Sequence, residues 1–508
     1  MSTDTNAITF KVPAIFGDHM VLQQGQADPI WGWDAPGTTV TVTFAGQTCS
    51  TMAGADGKWK VRLAPLPADA TPRVLTISGT SRREIKDVLV GEVWVCSGQS
   101  NMEFPLMPRG SFGGDYNGDL EALDANLPDL RLIIVPNRAA AEPQDNFEGQ
   151  WQLSTSETAA KFSAVGYLYG RYLHRVLGVP VGLIDNAWGG SAAEAWVRRS
   201  DLQNNPAFSN LMAATLKKDA YNETTNAQND YRAALEKWKQ TVDRSEWQNP
   251  PYSLKSSSPA GWFYGNKRAG NIYNGVLHPT IGYGIKGVIW YQGESNVGRA
   301  REYADLFPFL IEQWRQEWGQ GDFPFYWVQL ANYKEMQPLP IESAWAELRE
   351  AQTKTMQLTN TGQAVIIDLG EGKDIHPKNK NDVAARLVRW PLVKDYGMKL
   401  PFHSPEFEDL TVNSNKVVVE INCFGSKLRA FGTEEVKGFA VCGANRTWQW
   451  AKGKIVVDNK VAVWSDKVAL PVAVRYAWAD NPDCNLFSND GLPMTPFRAE
   501  FFEDNNTK

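Results

Sequence analysis

The chain predicts an α/β fold with a parallel sheet at its centre and a β region on either side. Three observations predict it: short alternating runs up to about residue 90, compact apolar runs separated by helical stripes from there to about 400, and a return to alternation beyond. Alternation with a period of two marks half-buried strands, whereas apolar strands separated by amphipathic helices mark parallel connections. At 508 residues the chain exceeds what one core usually holds. The expected division is an N-terminal β domain over 1–90, an α/β core over 91–400 and a C-terminal β domain over 401–508.

In the first region, Thr39-Val40-Thr41-Val42-Thr43-Phe44 and Trp59-Lys60-Val61-Arg62-Leu63 alternate between Gly, Pro and Asp turns. In the middle region the strand candidates are Val93 to Cys96, Leu132 to Val135, Val181 to Ile184, Gly287 to Trp290, Phe325 to Leu330 and Ala364 to Ile367. Several are apolar throughout, as burial on both faces requires. Between them, Phe162, Val165, Tyr169, Tyr172, Leu173 and Val176 keep a helical stripe that Gly178 and Pro180 close. Asp305 to Trp318, ending at Gly319, reads the same way. Residues 202–249 turn polar and helix-favouring, an insertion suited to a lid or a dimer surface. Strands return in Lys416 to Ile421, Lys454 to Val457 and Val472 to Tyr476.

Composition narrows the function. Net charge is −6 and the basic residues are scattered, so no basic face collects phosphates; neither nucleic acid nor an anionic lipid surface is an expected partner. No apolar run approaches the roughly 20 residues of a membrane helix, so membrane insertion is not expected. Met1 to Asn6 lacks a signal-peptide layout, which predicts a cytoplasmic protein, or a periplasmic or secreted one if a leader was removed. Five widely spaced cysteines indicate neither a zinc knuckle nor a disulfide framework, though one disulfide is compatible with them. The 20 tryptophans suit the apolar faces of sugars, but most are expected in the core. Oligomeric state is not legible.

Chemistry gathers at strand ends, where open α/β sheets bind ligands. Val93-Trp94-Val95-Cys96 runs into Ser97-Gly98-Gln99-Ser100-Asn101-Met102, a turn that can expose the Ser100 hydroxyl and aim its N–H at an oxyanion; alone it reads equally as an ordinary Gly-Ser loop. Such a serine needs a histidine to take its proton. Of His19, His174, His278, His376 and His403, the first, second and last lie in β regions or inside a helix. His278 has no acid beside it and reads as structural, whereas His376 follows a strand and has Asp374 two residues earlier. Gly189 and Gly190, in the turn after Val181 to Ile184, can offer backbone N–H groups to the same oxyanion, and Tyr291 to Asn296 offers side-chain amides.

At these segments the sequence resembles the sialate O-acetylesterase family of the SGNH hydrolase superfamily, with its relatives that act on plant polysaccharide acetyl esters. The resemblance continues through Phe16 to Gln23, Trp188-Gly189-Gly190, Trp290 to Asn296, Asp374-Ile375-His376-Pro377, Pro471 to Trp478 and Gly491-Leu492-Pro493, covering nearly the whole chain. It implies an SGNH three-layer α/β/α core flanked by β domains, a carbohydrate acetylesterase activity, and no metal or organic cofactor. By position it implies Ser100 as nucleophile, His376 as general base and Asp374 as orienting acid, with oxyanion donors from Ser100, Gly189 and a third-segment amide. Superfamily members commonly follow a glycine there with asparagine; here Glu294 and Ser295 follow Gly293, so Gln292 and Asn296 compete, and Gln292 lies nearer the strand end. The superfamily also places its acid three residues before the histidine, where this chain has Lys373.

Candidates for sugar contact are Gln99, Asn101, Trp188, Glu294 and Trp262, with Trp196, Tyr264 and Tyr291 as further rings beside the loops. Arg198, Arg268 and Arg349 are candidates for a sialic acid carboxylate. The expected partner is an O-acetylated mono-, oligo- or polysaccharide. Two alternatives compete with the acetylesterase: a carbohydrate-binding protein on an inactive esterase scaffold, and a short-chain lipase or thioesterase.

Overall fold

One long strand, β1 (Arg82–Gly98, 17 residues), organises the first part of the computed structural model, which describes residues 8–110, 112–240 and 265–501. Its first half pairs antiparallel with Asp69–Ser78, from Ser78 opposite Arg82 to Asp69 opposite Val90. Its second half pairs parallel with Val181–Asp185, from Val181 opposite Glu92 to Asp185 opposite Cys96. The strand therefore runs unbroken through position 90, where the pattern of the sequence changes. The pattern changes because one face of an antiparallel ribbon meets water, whereas a parallel strand is covered on both.

Two units divide the chain: Met1–Trp290 with Phe309–Phe325, and Tyr291–Pro308 with Tyr326–Lys508. In the first, Thr39–Phe44 pairs with Gln47–Met52 and buries Val40, Val42 and Phe44, as its alternation requires. The core strands are β1, β2 (Leu127–Ile134), β3 (Val181–Asp185) and β4 (Gly287–Tyr291), in the spatial order β4, β1, β3, β2. Parallel register sets Cys96, Asp185 and Ile134 side by side, so the segments after β1, β2 and β3 leave from one edge. Two helices matter to the site: α1 (Ser100–Glu103) and α2 (Ala164–Leu177). The Ser163 hydroxyl caps α2 by accepting the Gly166 N–H at 3.0 Å, and Gly178 ends it.

Trp196, Trp290 and Trp314 are fully buried against one another, with edge-on rings 5.7 and 5.8 Å apart, the core role expected for most tryptophans. Buried Arg131 on β2 donates to both Asp87 carboxylate oxygens, at 2.8 and 3.1 Å, while His19 Nδ1 meets Asp87 at 2.6 Å. This cluster ties the strand β2 to the first half of β1 at Asp87. The polar insertion forms helices Ser209–Asn222 and Thr225–Lys239, with Arg199 and Arg268 both paired to Asp219.

In the second unit, β5 (Phe325–Val328) and β6 (Thr361–Ala364) are neighbours, with α3 (Ala344–Lys354) between them in sequence and α4 (Lys380–Leu387) after. The sequence placed a strand at Ala364 to Ile367; the observed strand ends at Ala364. Val365 and Ile367 instead join a buried cluster with Val417, Val419, Ile421, Phe439 and Val441. They are apolar because that β cluster buries them, a cause that periodicity cannot distinguish from a sheet. The same cluster holds together a five-stranded antiparallel sheet built on Glu406–Asn413 and Lys416–Asn422, and a four-stranded one built on Phe439–Cys442 and Ala473–Tyr476. All five cysteines are free thiols. Among the described residues, no helix is long and apolar enough to cross a membrane.

Candidate active site

Ser100 stands at the first position of α1, immediately after β1, in a strand-turn-helix that a single glycine makes possible. Gly98 has φ +135°, a conformation L side chains rarely adopt, and it turns the chain so that Gln99 caps the helix Ser100 begins. Ser100 is only 7% exposed, and its neighbours Gln99 and Asn101 are buried. The loop after β3 is fastened to this turn. Asn186 N–H donates to Cys96 O at 3.1 Å, and Trp188 N–H to Gly98 O at 3.0 Å. Ser191 N–H then donates back to Trp188 O at 3.3 Å, closing a turn in which Gly190 takes φ +71°.

Gly189 and Gly190 thus lie beside the Ser100 turn, but the Gly189 N–H has a partner. It donates to Glu103 Oε2 at 2.6 Å, while Gly189 O accepts from Asn266 Nδ2, also at 2.6 Å. Glu103 is buried, takes a second bond from Asn137 Nδ2 at 3.1 Å and has Arg109 at 4.0 Å. Behind it, Asp185 at the end of β3 is pushed up to about pH 7 by burial, a bond from Ala187 N–H opposing and the Glu103 charge adding. Nothing in the periodicity of the sequence singles out Glu103 as part of the site. Its signal is a charge set three residues after Ser100 within the apolar run Met102-Glu103-Phe104, where a carboxylate is costly unless bonded.

The second unit carries the candidate base. His376 is half-buried in the loop between β6 and α4, with a side chain 30% exposed. Burial lowers its pKa from 6.5, the Lys380 charge lowers it further, and Asp374 opposes both. Asp374 Oδ1 lies 3.6 Å from His376 Nδ1, beyond hydrogen-bond reach, and accepts the His376 backbone N–H at 2.9 Å instead. Its contribution to the imidazole is therefore a nearby charge and a fixed loop. Glu371 holds the same loop by accepting the Lys378 N–H at 2.8 Å, and Lys380 is fully buried with its ammonium 5.4 Å from the Tyr291 ring. The two competing amides of the third segment are bonded to each other: Gln292 Nε2 donates to Asn296 Oδ1 at 2.8 Å, and both are buried.

The other four histidines are tied to structure, each Nδ1 within 2.6 to 2.9 Å of a carboxylate or carbonyl: His19 to Asp87, His174 to Val179, His278 to Gln144 and His403 to Ser404. Among the sugar-contact candidates, Trp188 and Glu294 are partly exposed, whereas Trp196 and Tyr291 are completely buried and pack the core. Trp262 and Tyr264 lie outside the described residues. The three nominated arginines are engaged. Arg198 pairs with Asp201 and Glu317, Arg268 with Asp219, and fully buried Arg349 donates to the carbonyls of Leu330, Ala331, Ala479 and Asp480.

A buried serine on the turn after a parallel strand, with a glycine turn after the neighbouring parallel strand hydrogen-bonded to that turn, is an arrangement that fits an ester hydrolase of the SGNH type. A family model described as "Carbohydrate esterase, sialic acid-specific acetylesterase" matches residues 262–385. The chain is 35% identical to a carbohydrate acetylesterase from Xanthomonas citri of known structure, which it matches with a TM-score of 0.80 over 97% of this chain and 100% of that one. It is 29% identical to the sialate O-acetylesterase of Mus musculus over 97% of this chain and 95% of that protein, and 28% identical to the Homo sapiens enzyme over 97% and 93%. The chain belongs to the carbohydrate acetylesterases.

Proposed function

We propose that the chain hydrolyses acetyl esters on sugars through an acetyl-enzyme at Ser100, with His376 as general base and Asp374 as the charge that favours its protonated form during the reaction. The observation that carries this is the Ser100 turn itself: Gly98 at φ +135° starts α1 at the serine, and two hydrogen bonds fasten the following strand-end loop to Cys96 and Gly98. His376 takes the Ser100 proton as the hydroxyl attacks the acetyl carbonyl, then returns it to the departing sugar oxygen; water repeats the sequence on the acetyl-enzyme. The Ser100 N–H and the Gln292–Asn296 amide pair donate to the oxyanion. A base of lowered pKa is neutral, and so competent, over a wider range toward acid.

The substrate is an O-acetylated carbohydrate, free or polymeric, recognised without nucleic acid or membrane insertion. The three arginines nominated for a sialic acid carboxylate all have other partners, which removes their support for an acidic sugar. Acetate release from O-acetylated sialic acid, acetylxylan and acetylated xyloglucan, measured side by side, decides among sugars. The serine assignment is tested with p-nitrophenyl acetate: Ser100→Ala and His376→Ala each reduce kcat by about three orders of magnitude. Near-normal turnover in both folded variants refutes it. Comparison with the octanoate ester separates an acetylesterase from a lipase or thioesterase, and a sugar-binding protein shows no turnover at all.

A further inference from the structure

We infer that Glu103 is a positioning residue for the acyl-transfer site, holding the Gly189 loop against the nucleophile helix through the backbone N–H that the sequence had assigned to the oxyanion. The inference rests on Ser100 being the nucleophile.

The geometry is that of a clamp. Glu103 stands on the same single turn of helix as Ser100, and Gly189 is 86 positions away in sequence. One oxygen of Glu103 takes the Gly189 N–H at 2.6 Å, the short distance expected when the acceptor is charged. The other takes Asn137 Nδ2 at 3.1 Å, with the Arg109 guanidinium 4.0 Å away. From the opposite side Asn266 Nδ2 donates to Gly189 O at 2.6 Å. Both polar groups of the Gly189 residue are thus engaged by side chains.

The clamp has a chemical consequence. A carboxylate and an oxyanion compete for one hydrogen, and a transition state that took the Gly189 N–H would leave a buried carboxylate short of a donor. Gly189 therefore sets the position of the loop. On this unit the oxyanion donors that remain are the N–H groups of Ser100 and Gly190. Glu103 also explains why a charged residue is tolerated three places after the nucleophile: it is bonded on both oxygens, and Arg109 offsets its charge.

The clamp needs an acceptor at the Glu103 position, and glutamine supplies one of the same shape through its amide oxygen. Glu103→Ala is expected to lower kcat for p-nitrophenyl acetate by about 10- to 100-fold with KM within about twofold, because loss of alignment acts on the chemical step. Glu103→Gln is expected to recover kcat to within about fivefold of the parent chain, since the same N–H is still accepted. Asn137→Ala, at a partly exposed residue that holds the other oxygen, gives an intermediate loss and keeps the question answerable if Glu103→Ala does not fold. Ser100→Ala is run in parallel. If it remains active, the site reading fails; if it is dead while Glu103→Ala or Asn137→Ala turns over normally, only the inference fails. Equal losses in Glu103→Ala and Glu103→Gln at unchanged thermal midpoints also overturn it, because charge rather than the accepted N–H would then be what matters.

Discussion

Replacing Gly98 by alanine tests whether the Ser100 turn depends on a conformation only glycine adopts freely. At φ +135° a Cβ is strained whatever space surrounds it, and holding it there costs about 1–3 kcal/mol. The chain relieves the strain by rotating about residue 98, which moves Ser100 together with the Gly98 carbonyl that accepts Trp188 N–H at 3.0 Å and the Ser191 hydroxyl at 3.4 Å. If the strain is expressed wholly in the reaction, kcat falls by about 5- to 150-fold, at about 1.4 kcal/mol per tenfold. If it is held in the folded state, it appears as lost stability. The assay is kcat with p-nitrophenyl acetate beside the thermal midpoint of the same preparation. A Gly98→Ala protein with kcat within about twofold and an unchanged midpoint refutes the reasoning, since the strain must appear in one quantity or the other.

Lys380→Met removes a cation that opposes protonation of His376, so the acid limb of kcat/KM, which lies below the ordinary histidine value of 6.5, moves to higher pH. Because folded His376 binds its proton less readily than the unfolded chain does, stability falls as pH drops through the window from 6.5 to the lowered value; a flat midpoint across that window contradicts the shift. Asp374→Asn keeps an oxygen for the His376 N–H and removes only a charge 3.6 Å from the ring, so kcat should fall by less than about tenfold; a loss near that of His376→Ala requires a direct bond that this geometry lacks. Asp87→Ala strips buried Arg131 of its carboxylate and should cost about 3 kcal/mol, read by denaturant unfolding, with kcat of the folded protein unaffected. Asp87 is held below the usual carboxylate range by Arg131 and His19 against its burial, so this stability is present above the unfolded value near pH 4 and disappears as pH falls through the lowered one.

The parts of this protein that follow from local pattern were legible in the sequence. Alternation at Thr39 to Phe44 named a strand whose valines are buried, the stripe from Phe162 to Val176 named a helix that Gly178 ends, and the run from Val93 into Gly98-Gln99-Ser100 named a strand that leads into a turn at Ser100. Each depends on residues within a few positions of one another, which the backbone period fixes directly. The tertiary structure decided what each polar group meets. It ended β6 at Ala364 because Val365 and Ile367 are drawn into a β cluster, engaged all three candidate arginines, and set Asp374 beside His376 without a hydrogen bond. It also set Glu103 on the Gly189 N–H across 86 positions of sequence. A hydrogen bond depends on where the chain returns to within about 3 Å, and periodicity carries no record of that return.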